Sequence, residues 1–191
     1  RSILKKERVV LNLIQRLSAI ATKVSKLVQI TKDKGIELLD TRKTTPGLRL
    51  FEKFAVAVGG GTNHRFNLSS AVMLKDNHLS HTPSILKSVE QLKGLVKGRD
   101  IQVEADTVDQ VNQILKSGAS SILLDNFKPK ELSEIVDKIR THPKGKNIYI
   151  ELSGGITEQT LENFCILGVD GISMGALTHN VKSVDISLDI K

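Results

Sequence analysis

The spacing of apolar residues along this chain alternates between a pattern typical of β-strands and one typical of α-helices. Six short apolar runs end in a charged or hydroxyl residue, and a helix-like stretch follows most of them. Strands that alternate with helices predict a parallel sheet, and in a closed α/β barrel the carboxyl ends of the strands carry the active site. The predicted strands span residues 36–40, 71–75, 101–104, 121–125, 148–153 and 171–173.

Apolar residues at three- and four-residue spacing predict a helix over residues 4–30 that packs on the barrel. Later helices are predicted over residues 50–58, 85–95, 108–115, 129–140 and 158–167, and an alternating run at 184–190 predicts a seventh strand. A barrel of eight strand–helix units takes about 250 residues. The pattern therefore favours an α/β fold in one domain, residues 1–191. It is an incomplete TIM-like barrel of six to seven parallel strands, with residues 1–30 as its leading helix.

Composition narrows the class of protein without identifying a function. With 191 residues, 39% of them hydrophobic, the chain can bury the core of one globular domain. The single Cys165 rules out an internal disulfide and follows Phe164 in a helix-like stretch, so we expect a buried structural thiol. No apolar run approaches the ~20 residues that cross a bilayer, and the first segment is too charged for a secretory signal. We expect a soluble, cytoplasmic protein.

The net charge of +7 is concentrated at the start of the chain. Residues 1–53 contain 13 Lys or Arg against 5 Asp or Glu, whereas the remainder is nearly balanced. Such a basic segment can bind nucleic acid. However, only 3% of the residues are aromatic and Trp is absent, so bases would find few side chains to stack on. A small polyanionic substrate explains the charge better than nucleic acid or a membrane.

Five basic side chains lie at neighbouring strand ends: Arg42, Lys43, His64, Arg65 and Lys75. Each one alone is ordinarily a solvated or structural residue. However, Lys75 ends an apolar strand, and a lysine that points into a barrel mouth needs an anionic partner because burying an unpaired charge is costly. Their joint occurrence predicts a pocket for an anion.

Acidic and glycine-rich segments follow the later strands. Glu104 and Asp125 end successive strands and could converge on one point, where their oxygens suit Mg²⁺; Asp106 and Glu151 rank second. Ser153-Gly154-Gly155 and the loop from Gly175 to His179 offer backbone N–H groups to an anion. Taken alone, the carboxylate pair fits many barrel enzymes, and Ser-Gly-Gly is often only a turn.

Several segments in the same order resemble the quinolinate phosphoribosyltransferase family, the nicotinate-nucleotide pyrophosphorylases. The resemblance covers the chain from about Glu7 to its end, and residue departures such as Ala19, Ser70 and Ala105 remove no proposed contact. It implies a type II phosphoribosyltransferase barrel, and members of the family carry an α+β domain before it that has no counterpart here. The motifs that carry it are residues 7–12, 17–22, 41–49, 59–65 and 75–78.

The resemblance also implies an activity and residue roles. Phosphoribosyl pyrophosphate and quinolinate would give nicotinate mononucleotide, pyrophosphate and CO₂ in NAD biosynthesis, with Mg²⁺ held, directly or through water, by Glu104 and Asp125. A homodimer or higher homo-oligomer is implied, because Arg8 would reach the neighbouring subunit's quinolinate. The residues implied at quinolinate are Arg8, Arg42, His64, Arg65 and Lys75; those at phosphoribosyl pyrophosphate are Lys43, Glu104, Asp125, Ser153, Gly154, Gly155, Gly175 and His179.

Two other functions stay open at this point. A relative that takes nicotinate or another planar acid would keep the acidic pair and the phosphate loops but would need fewer cations. A non-catalytic barrel that binds phosphorylated ligands and regulates a partner would tolerate replacement of Glu104 by Gln, whereas an enzyme would lose turnover.

Overall fold

The computed structural model describes residues 2–68, 71–75, 84–96 and 98–189, with side chains from Lys5 onward. Ser70 and the Asp76-Asn77-His78 motif lie outside these residues. Six strands form one sheet, close to the predicted positions. They are β1 (Glu37–Leu39), β2 (Val72–Leu74), β3 (Ile101–Ala105), β4 (Ser121–Asp125), β5 (Tyr149–Ser153) and β6 (Gly171–Ser173).

All strand pairs in the sheet are parallel, and the spatial order is β1-β6-β5-β4-β3-β2. The first strand of the chain therefore lies beside the last, as in a barrel. On its other side β1 makes an isolated bridge between Leu39 and Thr62. The predicted incomplete TIM-like α/β barrel is confirmed, with six strands in the described part of the chain.

Helices follow the strands, as the apolar spacing predicts. Five have bounds within about two residues of the predicted ones: α1 (Ser2–Lys32), α2 (Arg49–Val58), α3 (Ile85–Leu95), α4 (Val108–Ser117) and α5 (Pro129–Thr141). The predicted helix at 158–167 is wrong in length, because α6 covers only Leu161–Phe164. The backbone N–H of Thr157 donates to the Thr160 hydroxyl (3.0 Å), so the preceding residues form a turn instead.

The predicted seventh strand is wrong over the described residues 184–189, which have no regular secondary structure. This segment contacts a helix rather than a strand. The backbone N–H of Val184 donates to the Gln15 carbonyl (3.2 Å), and Gln15 Nε2 donates to the Ile186 carbonyl (2.8 Å). Bonds to α1 therefore replace the ladder that a strand would require.

The two faces of the sheet have opposite polarity because side chains alternate along each strand. One face packs against the helices and forms the core, with Val103, Ile122, Leu124, Ile150, Leu152 and Ile172 at most 1% exposed. On the other face, the register pairs Glu104 with Leu123 and Leu123 with Glu151. Asp125 pairs with Ser153 on the same side, so the polar residues all face the barrel interior.

Packing of α1 and of Cys165 agrees with the apolar pattern. Ile20, Val24 and Leu27 of α1 are at most 1% exposed. Cys165 is buried, burial raises the pKa of its thiol, and its Sγ donates to the Leu161 carbonyl (3.4 Å), as expected for a structural thiol.

Among the described residues, no helix has an apolar stretch long enough to cross a membrane.

Candidate active site

A cavity of about 370 Å³ opens at the carboxyl ends of the strands. Its wall comes from the loops after β1, β5 and β6 and from the polar face of the sheet. Eleven of the thirteen predicted site residues line it: Arg42, Lys43, His64, Arg65, Lys75, Asp125, Ser153, Gly154, Gly155, Gly175 and His179.

The basic side chains of the cavity are held by specific partners. Lys75 Nζ lies 2.8 Å from Glu104 Oε2. Arg65 points towards β2, where Nη2 contacts Met73 Sδ (3.2 Å) and Nη1 the Ala71 carbonyl (3.4 Å). Burial and the neighbouring charge of Arg42 lower the pKa of Arg65, while Glu151 and Glu104 oppose that shift. The basic side chains of the cavity therefore lie close together, and nearby carboxylates balance their charge.

Both ring nitrogens of His64 have protein partners, which defines its tautomer. The backbone N–H of Arg65 donates to Nδ1 at 2.7 Å, so Nδ1 carries no proton. The proton is therefore on Nε2, which lies 3.1 Å from Glu151 Oε2 and donates to it. Because both positions are fixed, the imidazole ring has one orientation in the cavity wall.

Three carboxylates come together beside the cations. One oxygen from each of Glu104, Asp106 and Asp125 lies within 4.8 Å of the others. Glu104 is buried, Asp125 is half-buried and Asp106 is exposed. Glu104 and Asp125 thus meet at one point, as the strand ends predict, and Asp106 joins them. Hard oxygen donors at this separation fit a divalent cation such as Mg²⁺.

The two glycine-rich loops require glycine for different reasons. Gly154 has φ +101°, and a Cβ there would lie 2.5 Å from the backbone nitrogen of Asn126. At Gly175 a Cβ would lie 2.9 Å from Cδ of Lys43 and 2.9 Å from Cδ2 of His179. The missing side chains let the two loops approach Asn126, Lys43 and His179 where the loops line the cavity.

Arg8 does not line the cavity of its own chain. It is exposed on the first third of α1, next to Val9 and Val10, which are 65% and 49% exposed.

Several residues of the site lie beyond the predicted set. Glu151, which we rank second from sequence, is 2% exposed in the cavity wall and also accepts from Gln102 Nε2 (2.6 Å). Burial alone would raise the pKa of Glu151, but the hydrogen bonds from His64 and Gln102 hold it below its ordinary value. Its position two residues before Ser153 on one strand was the available signal, since the two share a face.

A second group, Asp40, Glu52 and Lys53, lies buried behind the loops and was not predicted. Burial raises the pKa of Asp40 against the opposing effect of Lys53, whose ammonium donates to it. The sequence signal was helical spacing: Glu52 and Lys53 lie three residues before Ala55 and Val56, on the buried side of α2.

Comparison with known proteins agrees with this geometry. The family model described as "Quinolinate phosphoribosyl transferase, C-terminal domain" matches residues 20–189. A probable carboxylating nicotinate-nucleotide pyrophosphorylase of Bacillus subtilis is 46% identical over 99% of this chain and 64% of its own length. The relative of the same name in Archaeoglobus fulgidus is 38% identical over 99% of this chain and 73% of its own length.

Solved structures give the same result. The nicotinate-nucleotide pyrophosphorylase of Francisella tularensis superposes with a TM-score of 0.90 at 39% identity, over 97% of this chain and 65% of its own. The chain thus spans about two thirds of the length of the relatives that it matches. By both sequence and structure, this chain belongs to the quinolinate phosphoribosyl transferase family.

Proposed function

We propose that the chain carries the site for transfer of a phosphoribosyl group from phosphoribosyl pyrophosphate to quinolinate, with loss of CO₂. The products are nicotinate mononucleotide and pyrophosphate, as required for NAD biosynthesis. The observation that carries this proposal is the composition of one cavity: four basic side chains and two glycine-rich loops line it, and a group of three carboxylates lies beside them.

Quinolinate fits the basic side chains of the cavity. It presents two planar carboxylates, which guanidinium groups recognise through paired hydrogen bonds and an ammonium group recognises as a point charge. Arg42, Arg65 and Lys75 supply three such groups, and the fixed ring of His64 completes the wall. Lys75 is paired with Glu104 without substrate, so a carboxylate of quinolinate would exchange places with that glutamate.

Phosphoribosyl pyrophosphate fits the carboxylate group and the glycine-rich loops. Ser153, Gly154, Gly155, Gly175 and His179 surround a space suited to the 5′-phosphate, because backbone N–H groups bind anions. Glu104 and Asp125, together with Asp106, have the oxygen donors and the spacing to hold Mg²⁺, directly or through water. When bound, Mg²⁺ neutralises charge on the pyrophosphate.

The reaction needs electrostatic stabilisation and alignment more than a protein nucleophile. The bond from ribose C1 to pyrophosphate breaks, its electron pair leaves with the pyrophosphate, and positive charge develops on the sugar. We assign stabilisation of the leaving group to Lys43, and stabilisation of the sugar to Glu104 and Asp125. The lone pair of the pyridine nitrogen then bonds to C1. The carboxylate on the ring carbon next to that nitrogen then leaves as CO₂. The pyridinium ring holds the electron pair of the broken bond, and a proton from water takes the place of the carboxylate on that carbon.

The proposal includes a homodimer or higher homo-oligomer in which Arg8 reaches the quinolinate of a neighbouring subunit. Support comes from the exposed position of Arg8, which is not among the residues that line its own cavity, and from exposed apolar side chains on α1 and α2. Ile14 on α1 and Phe54 on α2 are 44% and 68% exposed, and apolar surface of this kind is typical of a protein interface. A cytoplasmic location stays a prediction.

The test is to incubate the protein with phosphoribosyl pyrophosphate, Mg²⁺ and either quinolinate or nicotinate, and to measure pyrophosphate and CO₂ together. We expect equal release of both products with quinolinate and none with nicotinate. Pyrophosphate released with nicotinate and without CO₂ would instead identify a transferase for a planar monocarboxylic acid. A protein that binds both substrates but never releases pyrophosphate would be a binding module.

A further inference from the structure

Helix α2 carries two adjacent charges that are buried and do not line the cavity. Glu52 is 0% exposed and Lys53 is 2% exposed. Neither pairs with the other; each contacts a different group of residues behind the cavity wall. A charged side chain is expensive to bury, and apolar residues of similar size often serve stability as well or better. Stability alone therefore does not account for both charges.

Lys53 fixes the backbone on both sides of His64. Its ammonium group donates to the Asp40 carboxylate and to the His64 carbonyl (2.9 Å). The backbone N–H of His64 in turn donates to Asp40 Oδ1 (2.8 Å). The N–H and the C=O of His64 are thus both tied to the Asp40–Lys53 pair. Because the ring of His64 is part of the cavity wall, Lys53 acts on the side of the cavity that we assign to quinolinate.

Glu52 holds a different group of residues, through three segments of chain. Oε1 accepts from Arg16 Nε (2.7 Å) and Oε2 accepts from the backbone N–H of Thr45 (3.1 Å). A second nitrogen of Arg16, Nη2, donates to the carbonyl of Thr178 (2.8 Å). The hydroxyl of Thr178 donates to the carbonyl of Lys43 (2.7 Å), which closes the network. Glu52 thereby joins the loop of Lys43 to the loop of Gly175 and His179.

We propose that Glu52 and Lys53 are positioning residues that act on separate halves of the site. Lys53 places His64 for quinolinate, and Glu52 places Lys43 and the loop at residues 175–180 for phosphoribosyl pyrophosphate. The assignment of substrates to the two halves rests on the proposed function. The separation of the two networks rests only on the contacts of the described residues.

The test compares Lys53→Met and Glu52→Gln, which keep most of the side-chain volume, with Lys87→Met and Glu90→Gln on the exposed side of α3 as matched controls. Two measurements are made on each protein. Amide hydrogen exchange at His64 and Thr45 reports each network without substrate. Calorimetric titration gives the Kd of quinolinate and the Kd of phosphoribosyl pyrophosphate with Mg²⁺.

In Lys53→Met, the His64 carbonyl loses its donor and the Asp40 carboxylate loses the ammonium that holds it in place, so the backbone of His64 is held less firmly. We expect exchange at His64 to accelerate about tenfold and the Kd of quinolinate to rise about tenfold, with Thr45 exchange and the other Kd changed less than about threefold. Glu52→Gln should give the reverse pattern, because its amide cannot accept from both Arg16 and Thr45. The controls should leave all four quantities unchanged.

Acceleration of both amides in each variant, or of neither, would refute separate positioning, and so would an equal rise of both Kd values. If the unsubstituted protein binds neither substrate while the amides still respond separately, the proposed function fails and the two networks stand. If Lys53→Met does not fold, Asp40→Asn with Lys53→Met removes the buried pair together. That variant should still raise the Kd of quinolinate alone, and an unchanged Kd would overturn the role of Lys53.

Discussion

Glu151 is a carboxylate held in the wall of the cavity by hydrogen bonds. Its Oε2 accepts from His64 Nε2 and Gln102 Nε2, and these bonds keep its pKa below the ordinary value despite burial. Through His64 Nε2, this carboxylate also determines which ring nitrogen carries the proton. Glu151 therefore links the electrostatics of the cavity to the stability of the fold.

A lowered pKa in the folded state makes stability depend on pH. The pKa of Glu151 is lower in the folded chain than in the unfolded chain, so its ionised form stabilises the fold. This contribution of Glu151 to stability is fully present above the ordinary pKa of a glutamate. It is lost as the pH falls through the folded pKa. We expect the free energy of unfolding of Glu151→Gln to fall less than that of the unsubstituted protein between about pH 7 and about pH 3. Urea denaturation at each pH measures the free energy of unfolding of the two proteins. The same pH dependence in both proteins would contradict a lowered pKa of Glu151.

Glu104 is the carboxylate on which the proposed reaction depends most. Replacement by Gln removes its charge beside Asp106 and Asp125 and weakens its bond to Lys75. We expect kcat for pyrophosphate release to fall about 10²- to 10³-fold, because a preorganised charge near the reacting sugar is lost. Glu158→Gln, at an exposed position, serves as the control. Glu104→Gln with more than a tenth of normal kcat would exclude Glu104 from the reacting site.

At the level of residues, the sequence predicts those that follow a strand and misses those that support them. Glu104 and Asp125 could be recognised because each follows an apolar run, and such ends share one edge of a parallel sheet. Glu52 and Lys53 could not be assigned partners, because Arg16, Asp40 and Thr45 approach them only in the folded chain. Arg8 shows a further limit, since its proposed target belongs to another molecule.

Among the elements, α4 begins just after Asp106, one of the three clustered carboxylates, and has a complete capping box. Thr107 Oγ1 accepts from the backbone N–H of Gln110 (3.3 Å), and Gln110 Oε1 accepts from the backbone N–H of Thr107 (3.0 Å). The Gln110 side chain also accepts from the Asp106 backbone N–H (2.7 Å). The start of the helix therefore anchors the backbone that presents Asp106.

We expect Thr107→Ala to lower the free energy of unfolding by about 1 kcal/mol, because two backbone N–H groups lose the geometry that satisfies them. Thr22→Ala, on the exposed face in the middle of α1, should change it by less than about 0.5 kcal/mol. Chemical denaturation of the three proteins provides the comparison. Equal effects of the two substitutions would show that the capping box adds nothing to stability.

Helix and strand prediction succeeded where local spacing and burial agree, and failed at the end of the chain. The run Val184, Ile186 and Leu188 alternates as a strand does, yet Val184 and Ile186 bond to Gln15 of α1. The alternation does not mark a buried strand face here, because the Val184 and Leu188 side chains are 41% and 45% exposed. The short α6 has a related cause, because Thr157 and Thr160 satisfy in a turn the groups that an earlier helix start would use.

For the whole molecule, the proposed exchange of Arg8 between subunits predicts recovery of activity on mixing. Arg8→Ala and Lys43→Ala should each be nearly inactive alone. A heterodimer of the two contains one site with both changes and one site with neither. After equal amounts are mixed and the subunits exchange, we expect about a quarter of normal turnover. Mixing that restores no turnover, although mass spectrometry detects heterodimers, would show that Arg8 serves its own chain or none.

Pairing of β1 with β6 brings together residues more than 130 positions apart in sequence. The segments of the chain should therefore not refold in the order in which they occur in the sequence. Contacts of such long range form slowly, since a large loop must close before they add stability. Lys43 and Gly175 meet across this junction, so a refolding chain should regain helical circular dichroism before the proposed site for phosphoribosyl pyrophosphate is assembled. A newly made chain would spend that interval with its helices formed and its substrate site still in two pieces.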